Sequence, residues 1–278
     1  RGTPDETILF SPNRDGIADR LQIHFDLAKD VAWLQVYLLD ADGIAHQAFE
    51  LPRSVPTNKA GLHVYDYAGG VDQGALPPPD GIYPLIALAE DAVGQKVRVT
   101  RQIEIRYGGV PRAEIVSPVS APTLQFSSSS VRLCETLFFT LTIANYGTVP
   151  LRTTGPEPGT VYDSAANYNT LGWPTESGAW RVAIGYENEL KDYPFRWGIG
   201  SAENLTRIGD HLYLMPGEQS VITGGIRVTG PMGARNPQPM WAGLIHEDVE
   251  ISQFNNRRDP RAITLDLPPL EEITPCEP

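Results

Sequence analysis

Cysteine is nearly absent: Cys134 and Cys276 are the only two in 278 residues. They are too few for a four-cysteine zinc site and too far apart for a redox pair. Either they are two unrelated thiols, or they form a disulfide that ties the tail TPCEP to the run VRLCETLFF. The disulfide is expected, because a lone thiol in a Pro-rich tail has no packing reason to be there, and it would place the chain outside the cytoplasm. Long apolar runs are also missing. None approaches the roughly 18 residues of a spanning helix, so no membrane insertion is expected, and the opening RGTPDETILF lacks the layout of a signal peptide. Basic residues are outnumbered, 22 against 34 acidic, for a formal net charge of -12. A phosphate backbone would be repelled, so nucleic acid is not an expected partner. The five histidines, His24, His46, His63, His211 and His246, show no H-x-x-x-H spacing. There is no G-x-S-x-G elbow and no phosphate-cradling Gly loop. No catalytic residue is nominated, and the chain is not expected to be an enzyme.

Proline and glycine are plentiful, 25 and 26 residues, and the apolar segments between them are short and rich in Val, Ile, Leu, Tyr and Phe. That composition predicts an all-β fold, and the length suits two domains. LQIHFDL and VAWLQVYLLD alternate, so each strand turns one side inward. The run DADG at 40–43 then makes a turn whose Gly can take positive φ. ALPPPDGIYPLIALAEDAVGQKVRVTRQIEIR repeats that grammar with a second hairpin. Roughly seven short strands fit before Tyr107, as a sandwich of about 100 residues requires. YGGVPRAEIVSPVSAPT lacks sustained alternation and reads as a linker, with room for one strand of the next domain. Beyond it, SSSSVRLCETLFFTLTIANYGTVPL, LMPGEQSVITGGIRVTG and MWAGLIHEDVEISQFNNRRDPRAITLDL supply further strands and turns.

Two resemblances follow from these runs. FSPNRDGIADRLQIHF resembles the SPNGDGxND strand-start of Ig-like modules on bacterial surface and secreted proteins. PDGIYPLIALAEDAVGQ resembles the DGxYxLxLxAxDxxG hairpin of the flagellar hook-cap type Ig-like family. Arg14 and Ala18 depart from the usual Gly and Asn. The second half is similar to the cell-adhesion-related domain found in bacteria (CARDB): a strand ending in NxG, a PG turn before a strand, then NN and a final ITL strand. This copy departs from that pattern at about 152–210, where some sixty residues replace a short connection. The resemblances imply two Ig-like or fibronectin-III-like β-sandwiches in tandem: residues 1–107, a linker at 108–123, and 124–278 with the insertion.

Three sets of residues are candidates for a site. Asn13, Asp15 and Asp19 have the spacing of part of a calcium loop, with Gly16 for the bend. The bidentate Glu of a full EF-type loop is missing, and His24 stands in its place. The same side chains could instead cap backbone amides in an Asx-turn. Trp173, Trp180, Trp197, Tyr186 and Tyr193 gather in the insertion and could stack on sugar rings. However, WRVAIGY alternates, which fits a buried strand. Glu187, Glu189 and Asp192 lie near these aromatics, but closeness in a loop does not make the facing carboxylates of a glycosidase. Asn204 begins a glycosylation tripeptide, of a kind that often arises by chance.

The expected function is that of a non-enzymatic, extracellular structural or adhesive protein of a bacterial cell surface, with a filament or array as one form. Its partners would be further copies of itself or neighbouring surface proteins. The alternative is a carbohydrate-binding accessory module that takes polysaccharide on the aromatic insertion. No cofactor is required, and calcium is the one candidate. Residues 1–10 either link copies through sheet edges or form the first strand of their own domain.

Overall fold

The structure is a computed structural model that describes residues 7–48, 58–187, 192–233, 235–251 and 253–276. The chain divides into two compact units, Arg1–Val110 and Pro111–Pro278.

The first unit has seven strands among the described residues: β1 Ile8–Phe10, β2 Leu21–Leu27, β3 Trp33–Leu39, β4 Ala45–Gln47, β5 Gly61–Tyr67, β6 Gly81–Glu90 and β7 Lys96–Ile105. One sheet has the order β1-β7-β6-β3-β4, and β2 and β5 form the other. The alternation of LQIHFDL is realised, with Leu21 and Ile23 buried and Gln22 and His24 exposed. Both hairpins are closed by aspartates. The Asp40 carboxylate accepts the amides of Asp42 and Ile44 at 3.1 and 2.7 Å, and Asp91 accepts those of Val93 and Gln95 at 3.0 and 2.8 Å. Strand β1 pairs in parallel with β7, from Ile8 against Ile103 to Phe10 against Ile105, and Phe10 is fully buried in this core. Of the three, Phe10 fills its own unit, while Ile8 and Leu9 pair with β7 and remain exposed. Residues 1–6 lie outside the described residues.

In the second unit the strands are β8 Ala113–Val116, β9 Gln125–Phe126, β10 Ser130–Arg132, β11 Thr136–Asn145, β12 Leu151–Thr153, β13 Val161–Asp163, β14 Trp180–Tyr186, β15 Phe195–Gly198, β16 Thr206–Ile208, β17 His211–Leu214, β18 Gln219–Arg227, β19 Gln238–His246, β20 Glu250–Ile251 and β21 Arg258–Asp266. The larger sheet has the order β10-β21-β19-β14-β12-β17-β16, with β15 also on β14 and β20 on β19. The smaller sheet has the order β13-β18-β11-β8, with β9 also on β11. Each unit is thus an all-β, Ig-like pair of sheets.

The stretch read as a linker with room for one strand of the next domain holds that strand at 113–116. AEIV is strand β8, paired with the end of β11, and Ala113 and Ile115 are buried. Four residues are too few for periodicity to reveal, so the pairing depends on a partner thirty residues away. Asn145 explains the NxG pattern. Its amide nitrogen donates to the carbonyls of Val149 and Leu214, both at 2.9 Å, and its oxygen accepts the Gly147 amide at 3.0 Å. One buried side chain therefore fixes the turn and ties it to β17.

The insertion is no appendage. It supplies β14, which lies in the larger sheet between β19 on one side and β12 and β15 on the other. All of β14 is buried. Trp180, Val182, Ile184 and Tyr186 face the main core, while Ala183 on the reverse face packs with Tyr193 and Ile245. Glycine is required there for space: a Cβ on Gly243 would come within 2.4 Å of the Tyr193 ring. The expected Cys134–Cys276 disulfide is present, with its Cα atoms 5.4 Å apart across 142 residues of chain.

Candidate functional site

The chemically richest place in the second unit is a buried ionic cluster that the insertion builds over the reverse face of β14. Arg181 points away from the main core, and burial there would be costly without partners. Its guanidinium donates to the carbonyls of Thr154 at 2.8 Å and Pro174 at 2.9 Å, and it lies 3.3 Å from the Glu247 carboxylate. Arg196, from β15, donates to both Glu247 oxygens at 2.8 and 2.7 Å and to the Tyr193 and Asp192 carbonyls. Tyr168 lies beneath both guanidiniums, 4.1 Å from that of Arg196 and 5.9 Å from that of Arg181. Nearby, buried Arg152 binds Glu176 and the Ser177 carbonyl. Burial pulls the Arg181 guanidinium down from its ordinary value, and Glu247 opposes that pull. Burial also pushes the Tyr162 hydroxyl up to about 12, and this hydroxyl donates to the Arg196 carbonyl at 2.6 Å.

The donors of Arg181 and Arg196 are thus directed at loop carbonyls and one shared carboxylate. Such an arrangement clamps the connection at 154–179 and the segment at 192–196 onto β14 and β19. An open hollow of about 350 Å³ lies beside it, with Tyr168, Thr175, Arg196, His246, Glu247 and Asp248 among its lining residues. Arg196 and Glu247 in its wall are tied to one another, and His246 is stacked on Trp180 at 4.3 Å.

The structure separates the five aromatics. Trp180, Trp197, Tyr186 and Tyr193 are buried, and Trp173 is 40 % exposed. Trp197 packs edge-on against Phe139 and Tyr162, and its indole donates to the Thr160 carbonyl at 3.0 Å. Tyr193 donates to Asn256 at 2.6 Å and accepts the Arg257 amide at 2.8 Å. Of the two readings, sugar-stacking platform and buried strand, four of these rings take the buried one, because β14 and β15 are packed on both faces. Of the three acidic residues nearby, Glu187 pairs with Arg235 at 2.7 Å and Asp192 is exposed. Glu189 lies outside the described residues.

Asn13, Asp15 and Asp19 are brought together as a capped turn. Asp19 accepts the amides of Asn13, Asp15 and Gly16 at 3.2, 3.1 and 2.6 Å. Asn13 accepts the Asp15 amide at 3.0 Å, and Asp15 accepts the Ile17 amide at 2.8 Å. Burial, and then the Asp15 charge, pushes the Asp19 carboxyl above its ordinary value. The two positions that depart from the motif, Arg14 and Ala18, are left-handed, with φ 61° and 53°. Gly and Asn adopt that region at least cost.

Sequence reasoning missed Arg181, Arg196, Glu247 and Tyr168. Alternation in WRVAIGY assigns Arg181 to the side opposite the core, which in an ordinary sandwich is solvent. Nothing local announces a second layer there.

A scan with protein-family models finds no match, and a search of curated proteins finds none either. Among solved structures, the chain is similar to fibronectin(III)-like modules of Clostridium thermocellum CbhA, at 11 % identity over 99 % of this chain and 97 % of that one, with a TM-score of 0.31. It is also similar to murine CEACAM1b, at 12 % identity over 94 % of this chain and 96 % of that one, with a TM-score of 0.26. Neither likeness lends this chain a ligand, partner or activity.

Proposed function

We propose that this chain is a non-catalytic structural or adhesive element of a bacterial cell surface, working outside the cytoplasm through its sandwich surfaces and edges. The observation that carries this reading is the fate of the insertion. Trp180, Trp197, Tyr186 and Tyr193 and the buried guanidiniums of Arg181 and Arg196 serve as internal supports of a larger sheet. The disulfide supports the location, since such bridges persist in oxidising compartments. In this reading Asn13, Asp15 and Asp19 act as turn caps in place of calcium ligands. The motif resemblances to hook-cap type and CARDB modules agree with it. Surface labelling of intact source cells with a membrane-impermeant reagent, with electron microscopy of the natively isolated material, is the test. Labelling only after lysis would overturn the location. Turnover of any substrate that survives purification to homogeneity would overturn the non-catalytic role. For the insertion, iodide is expected to quench Trp173 and leave Trp180 and Trp197 protected.

A further inference from the structure

We infer that the outer edge of β7 at 96–102 is an acceptor for an extended acidic peptide strand from another protein. Strand β7 is ten residues long. It pairs with β6 along its whole length, but β1 covers only Ile103 to Ile105 on the other side. Among the described residues, no strand borders the remaining edge. An edge of that length presents unpaired backbone donors and acceptors, which is what strand addition uses.

Two further observations say what kind of strand fits. All seven residues of KVRVTRQ are exposed, and Val97 and Val99, at 61 % and 46 %, lie on the same side as fully buried Ile103. An added strand with alternating apolar residues would extend the core over these valines. Then there is charge. Lys96, Arg98 and Arg101 put three cations and no anion into this stretch of a chain whose net charge is -12. Lys96 lies 3.5 Å from Glu90, and among the described residues the Arg101 guanidinium donates to the adjacent Thr100 carbonyl. Pairing this edge with the same edge of a second copy would bring two sets of three cations onto one ribbon with no anion between them, which disfavours self-addition. Lys96 and Arg98 lie on the side opposite the valines and Arg101 on the valine side, so a partner strand with apolar residues over Val97 and Val99 and acidic residues on its other side and beside Arg101 satisfies the backbone, the valines and the cations together.

This inference does not rest on the surface-protein reading, since it names a binding edge whatever the location. The test uses the full chain and three probes: a fluorescent heptapeptide alternating Val with Glu, its Val and Lys counterpart, and dextran sulfate. The acidic peptide is expected to bind and to protect the 96–102 amides from hydrogen exchange. Binding should weaken about tenfold in the Arg98→Glu/Arg101→Glu double variant and should fall with salt in the wild type, a reading that needs no variant to fold. The inference is overturned if the Lys peptide binds as well as the Glu peptide, or if the acidic peptide leaves these amides unprotected. It is also overturned if dextran sulfate alone binds, which would make the site a polyanion patch. Protection of the same amides in the chain without peptide would assign the edge to a second copy if it grew with concentration, and to this chain's own residues if it did not.

Discussion

Both units carry exposed ion pairs and carboxylate-capped turns, but the second also sinks an ionic cluster beneath its chain. In the first, the carboxylates of Asp19, Asp40 and Asp91 cap turns at strand ends, and pairs such as Lys59 with Asp30 and Arg20 with Asp66 lie at the surface. In the second, Arg181, Arg196 and Glu247 are sunk beneath a layer of chain, with guanidinium donors directed at carbonyls or the shared carboxylate. Exposed pairs add little because water screens them and side-chain entropy opposes them. Buried ones are unforgiving, because removing one partner strands the other in a medium that cannot solvate it. A sheet covered on one face can leave its outer charges to water. A sheet covered on both must supply their partners itself.

The largest break in this comparison is expected from Glu247→Ala. It leaves two buried guanidiniums without their carboxylate and should cost the second unit about 3–5 kcal/mol. Hydrogen exchange read separately over 7–110 and 111–276 checks it, and equal losses in the two units would contradict the comparison. Next in size is removal of the disulfide. The Cys134→Ser/Cys276→Ser variant should lose about 2–5 kcal/mol, again in the second unit, because the bridge closes a very long loop. Denaturant titration with and without reductant measures that loss in the wild type.

Effects in the first unit should be smaller. Asp19→Ala removes the acceptor of three turn amides and should cost about 1–2 kcal/mol. The same residue gives a signed pH effect. Its carboxyl is pushed up in the folded unit, chiefly by burial, so the charged form is less favourable there than in the unfolded chain. Its ionisation therefore opposes folding at neutral pH, and that opposition is relieved as pH falls through the raised value to the ordinary one. Relative to Asp19→Asn, the wild-type first unit should gain stability across that window, and a loss there would reverse the assignment. Ala18→Asn should raise first-unit stability by about 0.5–1 kcal/mol by relieving the left-handed backbone. The smallest expected effect is that of calcium: melting curves in chelator and in millimolar calcium should superimpose. A rise of the first-unit transition with free calcium would instead make the capped turn a metal loop.

Sequence by itself pointed to the strand-rich class, both hairpins of the first unit, the Asn145 turn and the bridge between Cys134 and Cys276, while the aspartates that close the hairpins came from the structure. Each of the features legible in sequence rests on chemistry that acts locally: alternation sets a strand's two faces, a short side-chain oxygen reaches an amide two residues on, and a thiol in a Pro-rich tail needs a partner. Tertiary structure decided the rest. AEIV became β8 because β11 offered it an edge, and Trp180 and Trp197 went inward because β14 took a place within the larger sheet. Arg181 shows the reason most directly. On an alternating strand its side of the sheet is known, but whether that side meets water or protein depends on chain many residues distant, and only that neighbour turns an ordinary outward arginine into the centre of a buried clamp.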